Sequence, residues 1–158
     1  MTESIWKPHV TVAAVIERDG RFLLVEEETA DGLRWNQPAG HLEEGETLLA
    51  ATVRETLEES AWHVRPTALL GVYQWRAPDS DRSYLRFAFA AEALGHEPGR
   101  SLDRGIVQAA WLGADAIAGS VDRHRSPLVL ACVQAWQSGV RYPLDLLHHR
   151  GRIPDAAD

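Results

Sequence analysis

Residues 54–60 read RETLEES and place three glutamates, Glu55, Glu58 and Glu59, in a stretch whose pattern is otherwise helical. On a helix they stand at i, i+3 and i+4, so they share a face and repel by roughly 0.2–0.5 kcal/mol per pair. A solvated acidic face is one reading. Solvated faces usually interleave Lys or Arg to relieve such repulsion, yet between Arg34 and Arg65 the only Lys or Arg is Arg54. That imbalance points to a bound cation. Clustered carboxylates without His or Cys suit a hard ion, Mg²⁺ or Mn²⁺, which shares its shell with waters and substrate phosphates. By spacing alone, a calcium site or an empty acidic patch stays open.

The helix that must carry these acids has a plausible N-cap at Thr47 and runs to about Ser60; Ala50 stands where a capping-box Glu would sit, so the cap is partial. On a helical wheel Leu49, Val53 and Leu57 line one side, flanked by Ala50 and Thr56, with the three glutamates in an opposing arc shared by Leu48 and Ala51. Around this helix, residues 10–18 and 21–26 form a predicted β-hairpin across Asp19-Gly20. Residues 29–34 are polar, and 35–40 (WNQPAG) read as loop. Further strands are expected at 69–75, 84–91 and 107–112, and a second amphipathic helix at 127–137. Residues 148–158 read as a loose tail.

With 158 residues, 45% apolar and 25% charged, the chain fits one globular domain, expected at residues 1–147. No apolar run approaches the roughly 20 residues of a membrane span, and the opening MTESIWKPHV lacks a signal pattern. A cytoplasmic protein is expected, and a single cysteine, Cys132, agrees. The net charge of −7 argues against nucleic acid as a partner. It also disfavours a bare polyphosphate as ligand unless a cation accompanies it.

The spacing Gly40-(x5)-Glu46-(x7)-Arg54-Glu55-Thr56-Leu57-Glu58-Glu59 resembles the Nudix box, the loop-helix-loop signature of the Nudix hydrolases. The stretches KPHVTVAAVIERDGRFLLVEE, WNQPAGHLEEGETL, QWRAPD, YLRFAF, RSPLV and QSGVRYPLDLL resemble the phosphatase NudJ subgroup more closely, over residues 7–147. The resemblance implies a Nudix-type α/β/α sandwich with a mixed β-sheet. It also implies a Mg²⁺-dependent hydrolase of nucleoside tri- and diphosphates, and of the pyrophosphate ester of the thiamine pyrimidine precursor, releasing orthophosphate. Two readings stand beside it: a Nudix hydrolase cleaving ADP-ribose or dinucleotide polyphosphates to a nucleoside monophosphate, and a catalytically silent nucleotide-binding regulator. A homodimer stays open.

Carried over by position, the resemblance makes Glu55, Glu58 and Glu59 metal-binding carboxylates with the carbonyl of Gly40, and makes Glu46 and Arg54 structural supports. Glu55 or Glu58 is the candidate base, with Asp103 from a later loop as another; Gln108, an amide, cannot serve. Trp35 and Trp75 flank the loops expected to rim a pocket and are candidates to stack on a ring, with core packing as the other and favoured reading for each of the six tryptophans. Arg86 is a candidate phosphate clamp, and His41 a candidate substrate contact or loop cap. Two positions depart from the box. Thr56 replaces an aliphatic residue, and Ala61 replaces a glycine whose positive φ would strain an alanine, so an altered helix exit is expected.

Overall fold

A computed structural model of the protein describes residues 3–151. Strand β1 (His9–Arg18) turns through Asp19-Gly20 into β2 (Arg21–Thr29), as the Asp-Gly signal predicts. Then follow β3 (Gly32–Asn36), β4 (Ala39–His41), helix α1 (Leu48–Ser60), β5 (Trp62–Arg76), β6 (Ser83–His96), β7 (Ile106–Gly113), the short α2 (Ala114–Ala118) and α3 (Leu128–Gln137). The strands run in the order β3-β2-β1-β6-β5, with β4 on β1 and β7 on β2. Among the described strands only β1 and β6 pair in parallel, so the sheet is mixed.

Alternation along the strands puts a helix on each face. Val15, Phe22, Leu24, Ala88 and Ala90 pack with Ile117 of α2 and Val129, Cys132 and Val133 of α3. Their neighbours in sequence point the other way. Val12, Ala14, Ile16, Leu23 and Phe89 face the side where Leu48, Leu49, Ala51 and Val53 of α1 pack. Strand β1 is therefore buried on both faces, which explains its unbroken apolar run. The arrangement is an α/β/α sandwich.

Three differences from the expected elements have local causes. The polar stretch before Trp35 is strand β3, paired with β2 from Val25↔Asn36 to Thr29↔Gly32. Strands β5 and β6 run longer than expected, and bulges at Thr67 and Leu70 on β5 and at Leu94 on β6 break the two-residue alternation there. On α1 the buried residues are Ala51, Thr52, Glu55, Thr56 and Ser60, whereas Leu49, Val53 and Leu57 are half-buried. The acidic side is thus turned partly inward, under β4, and is not a solvated face.

Both departures from the box find a place in α1. Thr56 is fully buried and donates its hydroxyl to the Thr52 carbonyl at 2.7 Å, as Thr52 does to Leu48 and Ser60 to Thr56. The helix exit is not altered: Ala61 adopts the left-handed conformation, φ 60°, and its N–H donates to the Leu57 carbonyl. Alanine carries the glycine cap at the cost of backbone strain. Thr47 caps the other end, accepting from Ala50 N–H at 3.1 Å. Of the expected loose tail, His148–Gly151 lack helix or strand and 152–158 lie outside the described residues.

Candidate active site

Strand β4 and helix α1 meet at Gly40. A Cβ added there would stand 2.1 Å from Cδ of Glu55, so the position holds glycine for space, not for an unusual φ. Its flanking residues bind the same helix: Ala39 N–H donates to Glu59 Oε2 at 3.0 Å, and the His41 carbonyl accepts from Arg54 Nη2 at 3.0 Å.

Arg54 is the cation inside the cluster. Its Nε and Nη2 donate bidentately to Glu46 at 3.0 and 2.7 Å, and its Nη1 donates to Glu55 at 2.8 Å and Glu58 at 3.1 Å. These hydrogen bonds pull the Glu46 carboxyl below its ordinary range. Glu46 also closes the loop before α1 by accepting from Glu43 N–H at 2.8 Å.

One arginine does not balance the acids. Burial raises the Glu55 carboxyl despite its bond to Arg54. Burial pushes Glu59 up to about 8, with Glu55, Glu27 and Asp103 adding repulsion and the Ala39 N–H opposing them. Asp103, on the loop between β6 and β7, completes the group. Its N–H donates to the Glu58 carbonyl at 2.9 Å, and one carboxylate oxygen each from Glu55, Glu58 and Asp103 lie within 4.8 Å of one another. Three converging oxygens held by backbone and by Arg54 suit a hard divalent cation, whose charge would remove the remaining repulsion. Glu59 is held on Ala39 beside this trio and is not one of its members.

Beyond Gly40 opens a cleft of about 770 Å³. Ala39, Gly40 and His41 form the wall nearest the acids; Trp75, Tyr84 and the β5–β6 hairpin tip form a second wall; residues 121 and 124–128 form a third. Four arginines, Arg34, Arg82, Arg86 and Arg125, face three acids, Glu27, Asp31 and Asp79, a cationic excess in an anionic protein. That is the charge balance a phosphate-bearing ligand needs.

The expected substrate residues separate. Trp75 lines the cleft, its ring stacked on Tyr84 at 5.8 Å between centroids. His41 lines it too, its Nε2 3.0 Å from His9 Nδ1, with burial and then His9 lowering its pKa. Arg86 lies in the floor, donating to Gln37 Oε1 and Asn36 Oδ1 at 3.3 Å each. Trp35 is a core residue instead. Because 32–36 is a strand, alternate side chains point inward: Arg34 and Asn36 face the cleft, while Trp35 packs with Phe22, Leu24 and Val129. Gln108 is engaged elsewhere, donating to Glu26 at 3.1 Å.

The NUDIX domain family matches residues 7–131. The chain belongs to the Nudix hydrolases. Phosphatase NudJ from Escherichia coli strain K12 is 43% identical over 143 residues, covering 90% of this chain and 92% of the relative. A NUDIX hydrolase from Nitrosomonas europaea is 46% identical with a TM-score of 0.89, covering 91% of this chain and 98% of that one. A UDP-X diphosphatase, 21% identical with a TM-score of 0.70 over 89% of this chain and 69% of its own, shares the fold. The protein is thus an enzyme, a Nudix hydrolase acting on phosphoric anhydrides, and Nudix hydrolases generally use a divalent metal. No helix among the described residues is long and apolar enough to cross a membrane.

Sequence reasoning missed Glu27, Arg34, Arg82, His124 and Arg125 as cleft residues. The first two had a usable signal, since pairing of Glu27 with Arg34 follows from the β2–β3 hairpin. The others reach the cleft through loops that no periodicity announces.

Proposed function

We propose that this Nudix hydrolase is a Mg²⁺-dependent phosphohydrolase of nucleoside tri- and diphosphates, and of the pyrophosphate ester of the thiamine pyrimidine precursor, releasing orthophosphate. The observation that carries this reading is the shared wall at Gly40, with the acid cluster on one side and an arginine-lined cleft on the other. Similarity to phosphatase NudJ over nine-tenths of the chain supports orthophosphate as product.

Glu55, Glu58 and Asp103, with Glu59 and the Gly40 carbonyl carried over from the family resemblance, would hold Mg²⁺ or Mn²⁺. When bound, the ion neutralises phosphate charge and acidifies a water for in-line attack. Asp103 is the base this reading favours, because Arg54 Nη1 occupies a carboxylate oxygen of both Glu55 and Glu58. Arg54 and Glu46 act by holding Glu55 and Glu58 in place. Trp75 offers a face to the substrate's ring, and Arg86 and His41 offer donors to its phosphates. The same reading makes the protein a cytoplasmic enzyme without nucleic-acid partners, in keeping with its charge of −7.

The test is product identification from GTP, GDP, ADP-ribose and the thiamine-precursor pyrophosphate, with Mg²⁺ or EDTA, alongside Glu58→Gln. Orthophosphate that disappears with EDTA and with the substitution is expected. Nucleoside monophosphate from ADP-ribose, without orthophosphate from GTP or GDP, would replace this reading with pyrophosphohydrolysis. Metal binding without any turnover would replace it with the regulator.

A further inference from the structure

Among the described residues, three buried side-chain polar atoms lack a hydrogen-bond partner: Glu27 Oε1, Arg86 Nε and His124 Nδ1. All three residues line the cleft beyond Gly40. Buried polar atoms are otherwise almost always paired. Arg86 Nε is a donor, which suits the phosphates assigned to Arg86 above, its Nη1 and Nη2 donating to Gln37 and Asn36. Glu27 and His124 remain.

Glu27 is a carboxylate among arginines. Arg125 Nε stands 3.1 Å from its Oε1, close enough for an ion pair but not aligned to donate, so the oxygen keeps an open lone pair. The side chain is 22% exposed, and the soft terminal torsion of a glutamate lets either oxygen face the cleft. His124 offers an acceptor as well. Its Nε2 lies 2.9 Å from the Ile117 carbonyl, which can only accept, so Nε2 carries the hydrogen and the neutral ring presents a bare Nδ1. Burial lowers the pKa of that ring, favouring the neutral form.

Two unpaired acceptors in one cleft call for a donor from the ligand. A phosphate does not fit, since it brings lone pairs and negative charge to a carboxylate. We propose that Glu27, with His124 as a second acceptor, selects substrates whose head group carries an exocyclic amine, the amine's hydrogens meeting these two side chains. This rests on the proposed reading that the cleft receives the substrate with its ring beside Trp75. It deepens that reading by naming the class: amine-bearing rings (guanine, cytosine, adenine or an aminopyrimidine) over rings that present only carbonyls and a ring N–H.

Two substrate pairs isolate the amine. IDP is GDP without it, and UDP has a carbonyl where CDP has it. Losing the amine leaves a charged acceptor unmet, so kcat/KM for GDP over IDP, and for CDP over UDP, is expected to differ by roughly ten- to a hundredfold. Glu27→Gln is expected to compress both ratios to less than about threefold, because the amide can also donate to a carbonyl. Equal kcat/KM within each pair for the wild-type enzyme overturns the proposal. So does a Glu27→Gln protein that loses the same factor on all four substrates, which would mark Glu27 as a support for Arg125. If none of the four releases orthophosphate, the proposed function fails. Calorimetric titration of the same pairs then decides the role of Glu27: tighter binding of GDP and CDP upholds it and equal affinities overturn it.

Discussion

The Cδ of Glu55 lies where a side chain on Gly40 would begin, 2.1 Å from an added Cβ. A carboxylate wedged against a strand in this way cannot be moved without moving the other acids, because Arg54 Nη1 bridges it to Glu58. Gly40→Ala should push Glu55 out of the cluster. Misplacing a catalytic group by about 1 Å can cost a hundredfold, so kcat is expected to fall by about that factor or more, with weaker metal binding. Near-wild-type kcat for Gly40→Ala would mean that the acid cluster tolerates repositioning.

Arg54 can be tested by the stability it confers. It offsets repulsion among Glu46, Glu55 and Glu58, and its side chain is 24% exposed, which screens part of the effect. Arg54→Gln should lower unfolding free energy by about 1–3 kcal/mol in EDTA, less than for a fully buried pair. A divalent cation should recover part of that loss, since it supplies positive charge at the same oxygens. Chemical denaturation with and without Mg²⁺ reads both effects, and an unchanged midpoint in EDTA would contradict the supporting role.

How much of this is legible in the sequence depends on the physics of each element. The hairpin, α1 and the helix at 128–137 are local patterns, written in Asp19-Gly20, Thr47 and the apolar spacing. The register of Glu55, Glu58 and Glu59 is legible too, but its meaning is not: a helical wheel sets the acids opposite the apolar side because it cannot see β4 folding over them. Trp35 stays undecided between core and pocket for a related reason, since a short polar strand gives no alternation strong enough to say which side chains turn inward. Asp103 is brought to Glu58 by one backbone hydrogen bond from a loop, a relationship no spacing encodes.

Glu59 predicts a pH dependence. Burial moves its carboxyl from the ordinary 4.5 up to about 8, so the metal-free folded protein holds a proton that the unfolded chain has released. The folded state binds more protons in that window, so stability falls as pH rises between those two values. Melting temperature in EDTA should therefore decline from about pH 5 to about pH 8 through this group. On the proposed reading that Glu59 joins the metal's ligands, metal loading below about pH 8 should expel the proton, because a ligating carboxylate must be ionised. Calorimetric Mg²⁺ titrations in two buffers of different ionisation enthalpy should report close to one proton released at neutral pH, vanishing above about pH 9. No buffer dependence would leave Glu59 either ionised beforehand or uninvolved.

Ala61 sets backbone strain against side-chain burial. Holding an alanine at φ 60° costs roughly 1–2 kcal/mol relative to glycine. Its methyl is also buried, Ala61 being 3% exposed, and burying one such group contributes about 0.8 kcal/mol. Strain outweighs burial, so Ala61→Gly should stabilise the protein by up to about 1 kcal/mol. The Leu57 carbonyl would keep its bond from the cap N–H, and the carboxylates one turn earlier would not shift. A higher denaturation midpoint with unchanged slope and unchanged kcat is expected. A lower midpoint would show that the methyl's packing against its neighbours prevails over the left-handed backbone.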